Sequence, residues 1–283
     1  MCRWLAYSGL PVHPADLVLH PKHSLVAQSL DSPLGATTVN GDGFGVGWYP
    51  EARAGETVQP PALYRSTEPA WNDQNLREIT GSVHSHLFFA HVRAATAPPV
   101  QQTNCHPFRH GSWLFMHNGG LADFGRVRRD LTVAVDPSLY PDILGTTDSE
   151  VLFHLALTHG LEEDPIGALA RAVGFVEAVG HDHAIRFPIQ MTVAVTDGAT
   201  IWAFRHSSEG RSRSLFHSVD AATLLEMYPE RTNLAEFGPD GRIIVSEPLT
   251  DLPGAFHEVP ESTVAVLAPG VYEHRPFLPV SPL

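Results

Sequence analysis

Met1-Cys2-Arg3-Trp4-Leu5-Ala6-Tyr7 opens the chain. Apolar and aromatic residues this early read as a short strand over residues 3–7, so that anything on Cys2 is held by a sheet. Ser8-Gly9-Leu10-Pro11 follow too soon for the apolar region of a signal peptide. Working outward, Pro14 suits the first position of a short helix. Asn40 to Tyr49 is a glycine-dense turn running into a strand, and its alternating glycines imply close backbone approach. Residues 71–80 read as a helix, 87–93 as a buried strand, and 113–117 as a strand stopped by Asn118-Gly119-Gly120. From Glu150 the apolar period becomes helical through Val151, Leu152, Leu155 and Ala156, ending at Gly160. A second helix follows, with Asp164 as cap and Pro165 in its first turn. The rest is mostly β. Residues 191–195 and 200–204 flank the hairpin signal Thr196-Asp197-Gly198-Ala199, and residues 242–246, 262–267 and 271–274 are three more strands. Strand runs enclosing two central helices predict an α+β or layered sandwich, read as one domain over residues 1–283.

Composition narrows the function. The 283 residues carry 18 Lys plus Arg against 31 Asp plus Glu, a formal net charge of −13, which disfavours nucleic-acid and membrane-surface partners. Lys22 is the sole lysine, so a Schiff-base mechanism is improbable and arginine is the cation left to grip a carboxylate. Two cysteines build no disulfide scaffold, and no stretch reaches the roughly 18 apolar residues of a membrane span. The expected compartment is the cytoplasm.

Several residues could carry chemistry. Removal of Met1 before a small residue makes Cys2 the N-terminus, where one residue supplies a thiol and a neighbouring α-amine that titrates near neutrality. Taken alone, Cys2 reads as an ordinary cysteine at a strand start. Cys105, in Thr103-Asn104-Cys105-His106-Pro107-Phe108, is a rival nucleophile, although adjacent Cys and His point apart in an extended chain. His84-Ser85-His86 and His181-Asp182-His183 lack the spacing of a zinc site, so no metal and no cofactor are expected. Arg93 and Thr96 follow a strand and could hold a carboxylate, or Arg93 could form a surface ion pair. His117-Asn118-Gly119 is either an Asn-Gly hairpin turn or an oxyanion hole made by the Asn118 amide and the Gly119 N–H. Thr147-Asp148-Ser149-Glu150 has capping-box spacing, with Asp148 in the first helical turn as an anchored carboxylate able to hold an ammonium group.

Met1-Cys2-Arg3, His91-Val92-Arg93 with Thr96, His117-Asn118-Gly119 and Thr147-Asp148-Ser149-Glu150 occur in an order that resembles the class II, N-terminal-nucleophile glutamine amidotransferases of stand-alone type. Asp42-Gly43-Phe44-Gly45, Asn104-Cys105-His106-Pro107-Phe108 and Ser246-Glu247-Pro248-Leu249 extend that resemblance over most of the chain. It implies a four-layer αββα sandwich. Cys2 would be the nucleophile and its α-amine the base, with Asn118 and Gly119 forming the oxyanion hole. Arg93 and Thr96 would bind the substrate α-carboxylate, and Asp148 its α-ammonium. Glutamine or a γ-glutamyl amide would be hydrolysed through a Cys2 thioester, releasing glutamate. Ala97 departs from the sugar-phosphate members, which carry histidine there. The recognised core leaves no room for a synthetic domain, so the chain either works with a partner synthase or is a hydrolase. Its beginning also looks like the γ-glutamyl amidohydrolases of ergothioneine biosynthesis. A third reading is a non-catalytic binding protein of the same fold, in which a retained Met1 turns the amine into a peptide nitrogen.

Overall fold

The structure is a computed structural model describing residues 2–32, 34, 39–51, 60–95 and 99–281. Its strands are β1 (Arg3–Val12), β2 (Phe44–Trp48), β3 (Ala62–Ser66), β4 (Ser85–Val92), β5 (Phe108–His110), β6 (Trp113–Leu121), β7 (Ile189–Thr196), β8 (Ile201–Ser207), β9 (Phe216–Ser218), β10 (Arg242–Val245), β11 (Phe256–Glu258), β12 (Thr263–Ala268) and β13 (Val271–Pro276). They form two antiparallel sheets, in the orders β11-β9-β10-β1-β4-β2-β3 and β13-β12-β8-β7-β6-β5. Helices α1 (Ala15–Val18), α2 (Leu25–Leu30) and α3 (Gln74–Ser82) belong to the first half of the chain. Helices α4 (Phe124–Val133), α5 (Asp148–Thr158) and α6 (Pro165–Asp182) occupy the middle, and α7 (Ala221–Met227) the last third.

Period-two alternation explains the layering. On β1, Trp4 and Ala6 join Leu87, Phe89, Leu114 and Met116 in a core between the sheets. Leu5 and Tyr7 point the other way, into a core shared with Leu17, Leu25 and Leu76 of α1, α2 and α3. A third core packs Phe153 of α5 and Val173 of α6 onto Phe115 and Val193. Three apolar layers between four structural layers make the αββα sandwich that the resemblance implied.

β1 runs further than residues 3–7 because its pairing with β4 shifts register between Ser8 and Val12, a bulge that accommodates Gly9 and Pro11 inside a strand. The close approach expected of the alternating glycines is present at Gly45, where a Cβ would lie 2.2 Å from the His106 carbonyl oxygen. The helix expected over 71–80 begins later, at Gln74, because Asp73 accepts the Leu76 N–H at 2.7 Å and caps it there. The Asp164 cap and the start of α6 at Pro165 are as expected, and so is the hairpin between β7 and β8.

Two local expectations are corrected. Asn118-Gly119-Gly120 neither stops a strand nor turns a hairpin: β6 continues to Leu121, pairing with β7 as far as Leu121 opposite Ile189. The capping box is only half made. Thr147 Oγ1 accepts the Glu150 N–H at 3.2 Å, but the Glu150 carboxylate accepts from Leu144 and Gly145 at 3.0 and 2.7 Å and so ties down the preceding loop.

Candidate active site

Cys2 stands one residue before β1, half-buried, with Sγ 3.7 Å from the Ala94 carbonyl oxygen. Arg3 pairs with Val92, so the start of β1 lies beside the end of β4 and the arginine that follows it. Arg93 is buried. Its N–H donates to Gly43 O at 2.8 Å, and its carbonyl accepts from Asp42 N–H at 3.0 Å. The Asp42 carboxylate accepts the Ala95 N–H at 2.8 Å, which secures the chain leading away from Arg93. Thr96 and Ala97 lie outside the described residues, as does Met1.

On the opposing sheet, Asn118 has the parity of Leu114 and Met116 and belongs to the face between the sheets. Its carbonyl accepts from Thr192 Oγ1 at 3.4 Å, and that hydroxyl accepts from Trp4 Nε1 at 3.2 Å. A polar thread therefore links Asn118 to the residue two along from Cys2. Gly119 is exposed and has φ +156°; a Cβ there would lie 1.9 Å from Gln190 O, so no larger residue fits without moving β7. Asp148 begins α5, half-buried, and accepts from Leu121 N–H and Ser149 N–H at 2.8 Å each. Arg93 and Asp148 act on the Cys2 thiol from outside, the first favouring thiolate and the second opposing it, while burial is the larger influence and raises the thiol pKa. A thiol held in that state needs a base.

Cys105 is fully buried, its Sγ 3.4 Å from Ser66 O and 3.7 Å from Gln101 O, and burial raises its pKa as well. Its neighbour Asn104 accepts from Thr146 N–H at 2.8 Å and donates to Pro99 O at 2.9 Å, tying its loop to the approach of α5. The histidine pairs separate: His84 packs at a tilt against His13, while His183 reaches Asp130 at 2.8 Å. Among the described residues no group of three or more His, Cys, Asp and Glu is placed to hold a metal ion.

The family model for class II glutamine amidotransferases matches residues 18–216. The chain belongs to the class II glutamine amidotransferases. Relatives include the probable glutamine amidotransferase DUG3 of Saccharomyces cerevisiae, 33% identical over 94% of this chain and 82% of that protein. The gamma-glutamyl-hercynylcysteine sulfoxide hydrolase of Mycolicibacterium smegmatis is 28% identical over 92% of this chain and 93% of its own length. A solved glutamine aminotransferase class-II domain protein from Silicibacter pomeroyi superimposes with a TM-score of 0.73 at 31% identity, covering 99% of this chain and all of that one. The glutamine phosphoribosylpyrophosphate amidotransferase of Bacillus subtilis shares the fold at a TM-score of 0.61 and 14% identity, over 98% of this chain and 49% of that one.

Three contacts at this amidotransferase site are not readable from the sequence, although the residues that make them stand in the motifs that carry the resemblance. His91, His106 and His117 form a buried group: His91 stacks on His106 at 4.3 Å, and His91 Nε2 reaches His117 O at 3.3 Å. Burial lowers all three pKa values, that of His91 to about 3, which favours the neutral imidazole in each. His117 Nδ1 meets Ser149 Oγ at 2.9 Å, a second tie between β6 and α5. The third is an ion pair between Arg3 and Glu247, whose partners are distant in the chain. Among the described residues no helix is long and apolar enough to cross a membrane.

Proposed function

We propose that this class II amidotransferase hydrolyses γ-glutamyl amides through Cys2, with water as the final acceptor. The reading rests on one arrangement: Cys2 Sγ lies 3.7 Å from the carbonyl oxygen of Ala94, next to Arg93, where β1 and β4 pair, and Asp148 is bound to the strand that carries Asn118. A glutamyl group has a carboxylate, an ammonium and an amide carbonyl, so Arg93 and Asp148 would clamp the two charges and present the carbonyl to sulfur. Thr96 would share the carboxylate with Arg93.

With Met1 removed, the α-amine of Cys2 takes the thiol proton as sulfur attacks the γ-carbonyl carbon. The Asn118 amide and the Gly119 N–H would stabilise the oxyanion. Collapse breaks the C–N bond, the ammonium returns its proton to the leaving nitrogen, and ammonia or an amine departs. Water activated by the same amine then cleaves the thioester and releases glutamate. Nucleophile, oxyanion donors and clamp would all come from this chain, so glutamate release is expected without an added synthase. The similarity to the mycobacterial sulfoxide hydrolase favours γ-glutamyl amides of larger amines beside glutamine itself. Both described cysteines are free, in keeping with a reducing compartment such as the cytoplasm.

The test is glutamate release by purified, Met1-free protein from glutamine and from a panel of γ-glutamyl amides, alongside Cys2→Ala. Release by the parent and none by Cys2→Ala is the expected result. Activity that survives in Cys2→Ala and disappears in Cys105→Ala moves the nucleophile to Cys105. A protein inert alone but active with a partner synthase overturns the hydrolase reading, and inertness in both settings makes it a binding protein.

A further inference from the structure

The Arg3 guanidinium is buried, 2% exposed, and faces Glu247, 4% exposed. Nε and Nη2 both reach Glu247 Oε1 at 2.5 Å, while Nη1 donates to the Cys2 carbonyl oxygen at 2.8 Å. Glu247 is delivered from the far end of the chain by the segment after β10. Trp4 N–H donates to Ser246 Oγ and Ser246 N–H to Trp4 O, both at 3.0 Å, so residues 246 and 4 exchange two bonds beside the pair. Gln28 of α2 donates to the Glu247 carbonyl at 3.2 Å and holds the segment from the other side.

A buried ion pair is a poor source of stability. The desolvation of two charges largely cancels their attraction, and apolar residues of like volume often serve the fold as well. What apolar residues could not supply here is the donor to Cys2. Cys2 precedes the first paired position of β1, Arg3 opposite Val92, so its carbonyl lies at the very end of the ladder. There the Arg3 fork supplies a side-chain donor: Glu247 holds the fork in one orientation and leaves Nη1 aimed at the Cys2 carbonyl.

We propose that Arg3 and Glu247 are positioning residues for catalysis, fixing the Cys2 carbonyl and with it the directions of the Cys2 thiol and α-nitrogen. The proposal rests on Cys2 being the nucleophile. Neither side chain is assigned any contact with substrate, so the effect falls on turnover and leaves the clamp at Arg93 and Asp148 as it was.

The decisive variant is the double substitution Arg3→Met/Glu247→Leu, which removes both charges at similar volume and leaves no buried charge unpaired. Its Tm, kcat and KM for glutamine are measured with the full chain, beside Glu247→Gln and Cys2→Ala. The expected double variant has a Tm within a few degrees of the parent, a kcat lower by about 10- to 100-fold, and a KM within about threefold. A folded double variant with parental kcat overturns the proposal, and so does one in which KM alone rises. If the double variant does not fold, Glu247→Gln decides by the same split between kcat and KM. Should Glu247→Gln fail to fold too, the pair is structural and the proposal falls. Activity remaining in Cys2→Ala removes instead the nucleophile reading on which the proposal stands.

Discussion

Asp148 Oδ2 accepts the backbone N–H of Leu121 at 2.8 Å, joining the first residue of α5 to the strand that carries Asn118. The carboxylate proposed to hold the substrate ammonium is thereby kept in register with the amide proposed to hold its oxyanion. Asp148→Asn preserves an acceptor for Leu121 but removes the charge. KM for glutamine should rise by about 10- to 100-fold with kcat little altered, as expected on losing a charged hydrogen bond. Steady-state kinetics check it, and an unchanged KM would remove Asp148 from the clamp.

Asn118→Ala should lower kcat by roughly 100- to 1,000-fold through loss of an oxyanion donor, with little change in Tm. Arg93→Lys should act differently, raising KM because a point ammonium replaces a planar fork. Parental turnover in Asn118→Ala would show that the Asn118 side chain serves only to fill its place between the sheets.

Two adjacent glycines should respond differently to a methyl group. At Gly119 the new Cβ meets Gln190 O at 1.9 Å, whereas at Gly120 its nearest neighbour is Asp148 Oδ2 at 3.4 Å. Gly119→Ala should destabilise by about 1–3 kcal/mol through overpacking and also lose most activity as β6 shifts. Gly120→Ala should fold normally. Denaturant melts of the two, run side by side, provide the comparison.

Acid should unfold the protein through its buried histidines. Burial lowers His91 to about 3 and His217 to about 4, against an ordinary value of 6.5. Above 6.5 both states are neutral and neither residue matters. As pH falls below 6.5 the unfolded chain binds protons that the folded chain refuses, and each residue removes about 1.4 kcal/mol per pH unit until its folded pKa is reached. Urea titrations at pH 7, 6 and 5 should show falling stability, with a shallower slope in His217→Gln; parallel slopes would show that His217 plays no part.

Strands with long apolar and β-branched runs were legible because such runs are local: β4, β7 and β12, buried on both faces, lie close to the expected 87–93, 191–195 and 262–267. Short strands such as β9 and β11, three residues each, carry too few positions to show a period and exist only because β10 and its neighbours offer a pairing edge. Asn-Gly misled for a related reason. A dipeptide records that a turn is permitted, and whether the strand continues depended on β7 lying against Gly119.

Chemistry divides along the same line. Sequence alone determined which residue types were on hand: a cysteine at position 2, an arginine in a chain with one lysine, an amide before a glycine, and an aspartate at a helix start. Their order sufficed for the family, since residue identity survives without coordinates. Tertiary structure alone decided that Asp148 is bound to the strand of Asn118, that three histidines are buried neutral beside it, and that Glu247 returns across 244 positions to hold Arg3. Charge pairing and desolvation depend on distance in space and on exclusion of water, and neither quantity is defined until the sheets have closed on one another.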